Sequence, residues 1–441
     1  MKIRAALKVG VFAAAAAMVA VACGNSERSG SSSSTTTTPS STSTGGVHVA
    51  VTGVPGVSDA EIRVGGVASV TNPVGGNYDS AFDGVQAYFD TVNAKGGVFG
   101  RKLVLASKRD DKAFNNTSEV RGLLDQDNVF AVLPVATLLF SGADQLVKAG
   151  VPTFGWAINE EWAGTPADPK ANLFGQSGSY LGIGQASKTV PYVVKKNGRK
   201  KVGLLAYNVP QSAGCLSGYE KSFDTYGKES GATVAFKDAS LAYGTTDLSV
   251  QVQKMRDAGV DVVATCMDNN GVVTLAKEMK KQGLDAIQLL PNSYDQSTMD
   301  EYGDLFEGSF VYIAETPFEA DPQPASLKQF KDAMSSAGKP VNENSLVGWI
   351  NAKQFVDGLK QTGPSFDRQK LIDTINSDTN YTADGLLPGI DWTTAHTQLG
   401  KQSCFAILKI HDSKFVVTSP QKGKTYTCLD TTTSDLRASA K

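Results

Sequence analysis

Histidine is scarce in this chain. The 441 residues hold three, His48, His396 and His411, too few for a histidine-based catalytic triad with any choice of partner or for a histidine metal cluster. A nucleophile elbow is missing as well, because Gly175-Gln176-Ser177-Gly178 lacks the second spaced glycine. No phosphate-cradling loop of the glycine-rich Gly-Lys-Ser/Thr kind occurs. The sequence therefore points away from an enzyme, and it calls for no cofactor and no metal. Charge of a single sign is also lacking: 42 basic residues stand against 44 acidic ones. The densest basic run, Arg199-Lys200-Lys201, sits just before an apolar strand and reads as a solvated strand entrance, so nucleic acid is not an expected partner.

What is present begins at the start of the chain. Lys2, Arg4 and Lys8 precede the apolar run from Val9 to Ala22, which is too short and wrongly flanked for a spanning helix and reads as a secretory signal over residues 1–22. Val21-Ala22-Cys23-Gly24 resembles the lipobox of bacterial lipoproteins, with Ala20 where that motif usually has Leu. The resemblance implies that Cys23 is lipidated and becomes the first residue of a protein anchored at the extracytoplasmic face of the cell membrane. Loss of the signal removes three of the 42 cations and leaves 39 against 44 acids, a formal charge of −5. Residues 23–60 read as a tether, since Ser29 to Gly46 is almost wholly Ser, Thr, Gly and Pro and has too few apolar residues to offset the entropy of ordering. Roughly 35 such residues reach about 30 to 35 Å.

From Ile62 onward, short apolar runs alternate with amphipathic segments. The runs are 62–67, 103–106, 129–133, 151–154, 202–206, 233–236, 260–265, 287–290 and 309–313. Continuous apolar strands separated by helical patterns require a sheet covered on both faces, so the class is α/β. Helices are expected over 81–95, 117–127, 217–228, 248–258 and 272–282, the second opened by Asn116 or Thr117 as cap. The strand-helix run occurs twice, which implies two doubly wound lobes.

The residues that carry a family resemblance are Ala81-Phe82-Asp83-Gly84, Val92-Asn93-Ala94-Lys95-Gly96-Gly97-Val98-Phe99-Gly100-Arg101, Arg109-Asp110-Asp111, Val129-Phe130-Ala131-Val132-Leu133-Pro134, Ala149-Gly150-Val151-Pro152 and Ala258-Gly259-Val260-Asp261. From about Ile62 to His411 the chain resembles the type I periplasmic binding proteins of the branched-chain amino-acid-binding kind. The resemblance implies two lobes joined by three crossovers, near Tyr180, Glu315 and Leu399, with a ligand closed between them. The lobes would be residues 61–180 with 316–398 and residues 181–315 with 399–430, followed by a tail, 431–441.

Open α/β sheets bind ligands beyond the carboxyl ends of their strands, so the site is expected on the loops there. Tyr78, Ala136, Thr137, Trp156, Ala157 and Asn159 are the candidates in the first lobe, and Tyr207, Gln211, Asp268, Asn269, Ser293 and Tyr294 in the second. Amino-acid-binding members of the family hold the ligand carboxylate with Ser/Thr hydroxyls and backbone N–H groups after the third strand. Here that stretch reads Thr137-Leu138-Leu139-Phe140. Leu and Phe side chains cannot donate hydrogen bonds, so an amide or a small aromatic or apolar compound is as compatible as an amino acid.

The function this implies is a lipid-anchored solute-binding protein that hands a small molecule to the permease subunits of an ABC importer. A ligand-sensing module for a membrane receptor is the alternative. Four cysteines follow Cys23, an even number in an exported chain, and they are expected as two disulfides. Strand order 2-1-3 in the second lobe puts Cys215 and Cys266 at one sheet edge. Cys404 and Cys428 flank a hairpin formed around His411-Asp412-Ser413.

Overall fold

Strands that are apolar at nearly every position must be covered on both faces, and the chain achieves this twice. The computed structural model describes residues 49–291, 293–398, 404–420, 423–430, 433 and 435–437. The signal, Cys23, the Ser/Thr-rich stretch as far as His48, the expected crossover at Leu399 and most of the tail lie outside the described residues. The first lobe runs β1 (Glu61–Ala68), α1 (Ser80–Asn93), β2 (Lys102–Asp110), α2 (Asn116–Asp125), β3 (Ala131–Ala136), α3 (Ala143–Lys148), β4 (Thr153–Gly155) and β5 (Leu173–Gly175). Its five strands are parallel, in the order β2-β1-β3-β4-β5.

The second lobe runs α4 (Thr189–Lys196), β6 (Lys201–Tyr207), α5 (Pro210–Ser230), β7 (Thr233–Leu241), α6 (Ser249–Asp257), β8 (Val262–Cys266), α7 (Asn269–Gln282), β9 (Ile287–Leu290), α8 (Gln296–Tyr302) and β10 (Phe310–Ile313). The chain then makes α9 (Ala325–Ser336), α10 (Glu343–Thr362), α11 (Arg368–Asn376) and α12 (Trp392–Ala395) before β11 (Cys404–His411), β12 (Lys414–Ser419) and β13 (Thr427–Cys428). The second sheet has the order β12-β11-β10-β9-β8-β6-β7. Strands β6 to β10 are parallel, while β11 runs antiparallel to β10 and is flanked by β12 and β13.

Side chains one apart on a strand point to opposite faces, and that alternation builds the cores. In β3, Ala131 and Leu133 join the cluster formed with α1 and α10, while Val132 and Val135 join the one with α2 and α3. In β8, Val262 and Ala264 face α5, and Val263 faces α6 and α7. Helices α9 to α12 pack back on the first lobe: Phe330, Trp349, Phe355, Leu371 and Trp392 share a core with Ile62, Val64 and Phe89. The disulfides are Cys215–Cys266, which ties α5 to the end of β8 with Cα atoms 5.9 Å apart, and Cys404–Cys428, which ties β11 to β13.

The structure differs from the sequence reading at several points. Strand β5, three residues long, leaves no periodic trace, and α9 to α12 were not anticipated as a block. Helix α5 starts at Pro210 rather than near 217, because proline is accommodated in the first turn and small residues after it hide the apolar stripe. Neither Asn116 nor Thr117 caps α2: Asn115 holds that position without a side-chain bond, and Asn116 is buried in a polar network.

Helices α1 and α10 cross at very short range. A Cβ on Gly84 would lie 1.9 Å from the Ser345 carbonyl oxygen, and one on Gly348 would lie 1.9 Å from that of Ala81. Both obstacles are backbone, so nothing flexible can yield. Gly84→Ala or Gly348→Ala should each lower stability by about 1 to 3 kcal/mol or more, as expected for overpacking. Urea unfolding checks this, and an unchanged midpoint in both variants would contradict the crossing.

Candidate ligand-binding site

The carboxyl ends of both parallel sheets face one another, and the loops after β1, β3, β4, β6, β7, β8 and β10 meet there. On the first lobe the rim is fixed by Asp111, a fully buried carboxylate. It accepts from Ser69 Oγ (2.7 Å), Asn116 Nδ2 (3.0 Å), the Ala113 N–H (2.9 Å) and the Thr137 hydroxyl. Ser69 Oγ in turn accepts the Leu138 N–H at 3.0 Å, and Asn159 Nδ2 donates to the Leu138 carbonyl at 2.9 Å. Buried polar groups demand such partners. The consequence is a rim most of whose polar groups are engaged within the protein, Asn159 Oδ1 being an exception.

Between the lobes lies a cavity of about 260 Å³, far above the roughly 10–15 Å³ that one water needs. Five of the sequence candidates line it: Tyr78 and Trp156 from the first lobe, and Tyr207, Gln211 and Asp268 from the second. Asn269 and Tyr294 instead wall a smaller pocket of about 40 Å³ that shares Tyr78, Trp156 and Glu343 with it. Ala136, Thr137, Ala157, Asn159 and Ser293 line neither. Their positions are structural: Thr137 and Asn159 serve the network around Asp111 and Leu138, the Ala157 N–H is held by Gln176 Oε1 at 3.1 Å, and Ser293 Oγ donates to Asn269 Oδ1 at 2.9 Å. Tyr294 is stacked on Phe318 with ring centroids 4.8 Å apart, and its hydroxyl bonds to Glu319 and the Phe318 N–H.

Aromatic rings dominate the walls. Tyr78 and Trp156 lie 5.6 Å apart, and Tyr207 meets Tyr243 edge-on at 5.3 Å. Asp268 caps α7 by accepting the Gly271 N–H at 3.1 Å, while its other carboxylate oxygen has no partner among the described residues. The hydroxyls of Tyr207 and Tyr243 are likewise buried and without a hydrogen-bond partner at that geometry. Burial raises the pKa of Asp268, and the hydrogen bond from Gly271 opposes that shift.

Several cavity residues escaped sequence reasoning. Tyr243 follows β7, which runs to Leu241 rather than ending near Phe236, so the loop it opens was not considered. Residues 181–187 of the connection between the lobes form one wall, as do Gln176 and Leu138. Glu315 follows β10 at the second crossover and accepts from Ser177 Oγ at 2.9 Å, joining the lobes. Glu343 opens α10, 168 residues after the last first-lobe strand ends at Gly175, and only its place beside the Asn342–Ser345 capping box marks it. The lobes also touch at the mouth: Asn77 Nδ2 donates to Asp295 Oδ2 at 3.0 Å, and Phe114 meets Tyr243 edge-on at 6.3 Å.

A family model described as periplasmic binding protein matches residues 61–414. Among curated proteins, the chain is 25% identical over 341 residues to Leu/Ile/Val-binding protein homolog 8 of Brucella abortus, covering 72% of this chain and 80% of that one. Homolog 7 of Brucella suis is 24% identical over 345 residues, covering 74% and 84%. Among solved structures, a branched-chain amino acid ABC transporter protein from Thermus thermophilus with bound valine aligns with a TM-score of 0.67 at 17% identity, over 82% of this chain and 97% of that one. A fatty acid ABC transporter substrate-binding protein from Thermomonospora curvata aligns at 0.68 and 20% identity, over 84% and 94%. These alignments carry the same two-lobed α/β fold.

Glu343 supplies a pH test of the cleft. Burial, then the charges of Glu315 and Asp295, push its carboxyl from an ordinary 4.5 up to about 8, although part of the side chain stays accessible from the cavity. A raised folded pKa means that its contribution to stability is fully present below about 4.5 and is lost as pH rises through about 8. The ligand-free protein should therefore melt lower at about pH 8.5 than at about pH 5.5, and Glu343→Gln should flatten that difference. The same pH dependence in both proteins would show that Glu343 carries no such repulsion.

Proposed function

Because the chain belongs to the periplasmic binding protein family, whose members are solute-binding proteins rather than enzymes, we propose that it is a lipid-anchored extracytoplasmic receptor that delivers one small organic molecule to an ABC importer. The observation that carries this reading is the cavity itself, walled by Tyr78 and Trp156 on one lobe and by Tyr207, Gln211 and Asp268 on the other. A ligand held by both lobes favours the form in which they are together, by as much as its affinity for the two forms differs. Permease subunits would recognise that form and be spared contact with the empty one.

The ligand class supported by the walls is an amino acid, an amide or a small aromatic or apolar compound. The relatives are named as homologs of a Leu/Ile/Val-binding protein, a branched-chain amino acid transporter protein with bound valine and a fatty acid transporter substrate-binding protein. A compact apolar body is common ground between those molecules and an aromatic-lined cavity. The signal-like residues 1–22 and Cys23 support an anchor, and the Ser/Thr-rich stretch after it supports a leash that lets the body reach a permease. Among the described residues no helix is long and apolar enough to cross a membrane.

Growth of an expressing bacterium with labelled palmitate tests the anchor. Wild-type protein should incorporate label and Cys23→Ala should not. Equal labelling of the two would refute lipidation at Cys23.

A further inference from the structure

The cavity is lopsided in charge. Asp268, Glu315 and Glu343 line it, and no lysine, arginine or histidine does so among the described residues. Asp268 is 6% exposed and Glu315 3% exposed, so water does little to compensate either carboxylate. Glu315 has a donor in Ser177, and Asp268, which lines the cavity beside Tyr207, has no basic partner for its buried Oδ2. Buried charges in native proteins are paired or neutralised, and here the protein supplies no countercharge.

The first-lobe groups that would receive an anion are engaged elsewhere. On the first-lobe rim the Leu138 N–H donates to Ser69 Oγ, that of Trp156 to the Val135 carbonyl, that of Ala157 to Gln176 Oε1 and that of Ile158 to the Trp156 carbonyl. The Thr137 hydroxyl is held between Asp111 and the Leu139 carbonyl. On the opposite lobe α5 opens with Pro210, which has no N–H to give, so its first backbone donors are those of Gln211 and Ser212. A carboxylate placed in this cleft would lose its hydration and meet Asp268 and Glu315 with no basic side chain to offset them.

What remains available suits the opposite charge. Asp268 Oδ2 and the hydroxyl oxygens of Tyr207 and Tyr243 are buried with acceptor capacity unused, and an ammonium has up to three N–H groups to offer. The faces of Tyr78, Trp156, Tyr207 and Tyr243 surround the same space. Aromatic faces attract cations through the ring quadrupole, more strongly when water is excluded. Acceptors, rings and acids thus converge where no basic side chain reaches among the described residues.

We infer that the cleft takes an organic cation, a compact apolar or aromatic body that carries an ammonium or amidinium group and no carboxylate. This rests on the solute-binding reading and narrows it. The cation takes the place of the missing countercharge at Asp268, its body lies against the rings, and the apolar rim of Leu138 and Ile158 meets the end where an amino acid would present its carboxylate.

Calorimetry on protein stripped of ligand by unfolding and refolding decides the matter with matched probes. 3-Methylbutylammonium, L-leucine, 3-methylbutanol and 4-methylpentanoate share a branched skeleton and differ in charge, and 2-phenylethylammonium and L-phenylalanine form an aromatic pair. At least one amine should bind at least tenfold tighter than its amino acid, with the alcohol and the acid weaker still. Asp268→Asn keeps an oxygen for the α7 cap and removes the charge, so it should melt as wild type does and lose amine affinity at least tenfold. Tyr207→Phe should weaken the amine by a smaller factor. Tighter binding of the amino acid or the acid, or amine affinity unmoved by Asp268→Asn, overturns the cation while keeping the solute-binding reading. Failure of every probe also overturns it, and native mass spectrometry then separates the two claims: a co-purifying neutral or anionic molecule keeps the broader reading, and an empty cleft counts against both.

Discussion

The buried carboxylate of Asp111 organises the first-lobe rim, and the character of the cleft follows from it. With Ser69, Ala113, Asn116 and Thr137 all donating to it, the loops after β1, β2 and β3 are drawn to one point. Removing it would leave those donors buried and unsatisfied, each at about 1 to 3 kcal/mol. The same bonds engage the hydroxyls and N–H groups that would otherwise face a ligand. The rim is left to present side chains such as Leu138, Trp156 and Ile158 to the cavity. A rigid polar base thereby produces an apolar binding surface.

The second lobe has the complementary design. Asp268, which lines the cleft, caps α7 with one oxygen and has no basic partner for the other. It is therefore positioned by secondary structure and not by a mobile loop, and the Cys215–Cys266 disulfide beside it fixes α5 against β8. Glu315 and Ser177 join the two lobes close to where the chain crosses between them, while Asn77 and Asp295 meet at the far lip. A contact near the connection and another at the mouth are what a hinged cleft needs: the first preserves register between the lobes, and the second can part.

Much of this was legible in the sequence, for definite physical reasons. Doubly covered strands advertise themselves as continuous apolar runs, so nine strands and the two-lobed α/β class followed from pattern alone. Tyr78, Trp156, Tyr207, Gln211 and Asp268, which line the cavity, were legible because loops beyond strand ends follow from the strand positions alone. The same rule picks out Thr137 and Asn159, but their polar groups turn inward to satisfy buried partners that no local pattern reveals. It does not reach Glu343, brought to the cleft by the packing of α10 on α1, a contact between helices more than 240 residues apart. Tyr243 was lost to a strand that runs five residues further than its apolar signal.

The central claim is that the lobes part and close around a molecule held by both. Small-angle X-ray scattering on the stripped protein, and on the same protein reloaded with whatever compound native mass spectrometry finds in it, tests this most directly. The account predicts a larger radius of gyration without the compound and a return to a compact profile with it. Identical profiles at saturating compound would contradict a hinged cleft.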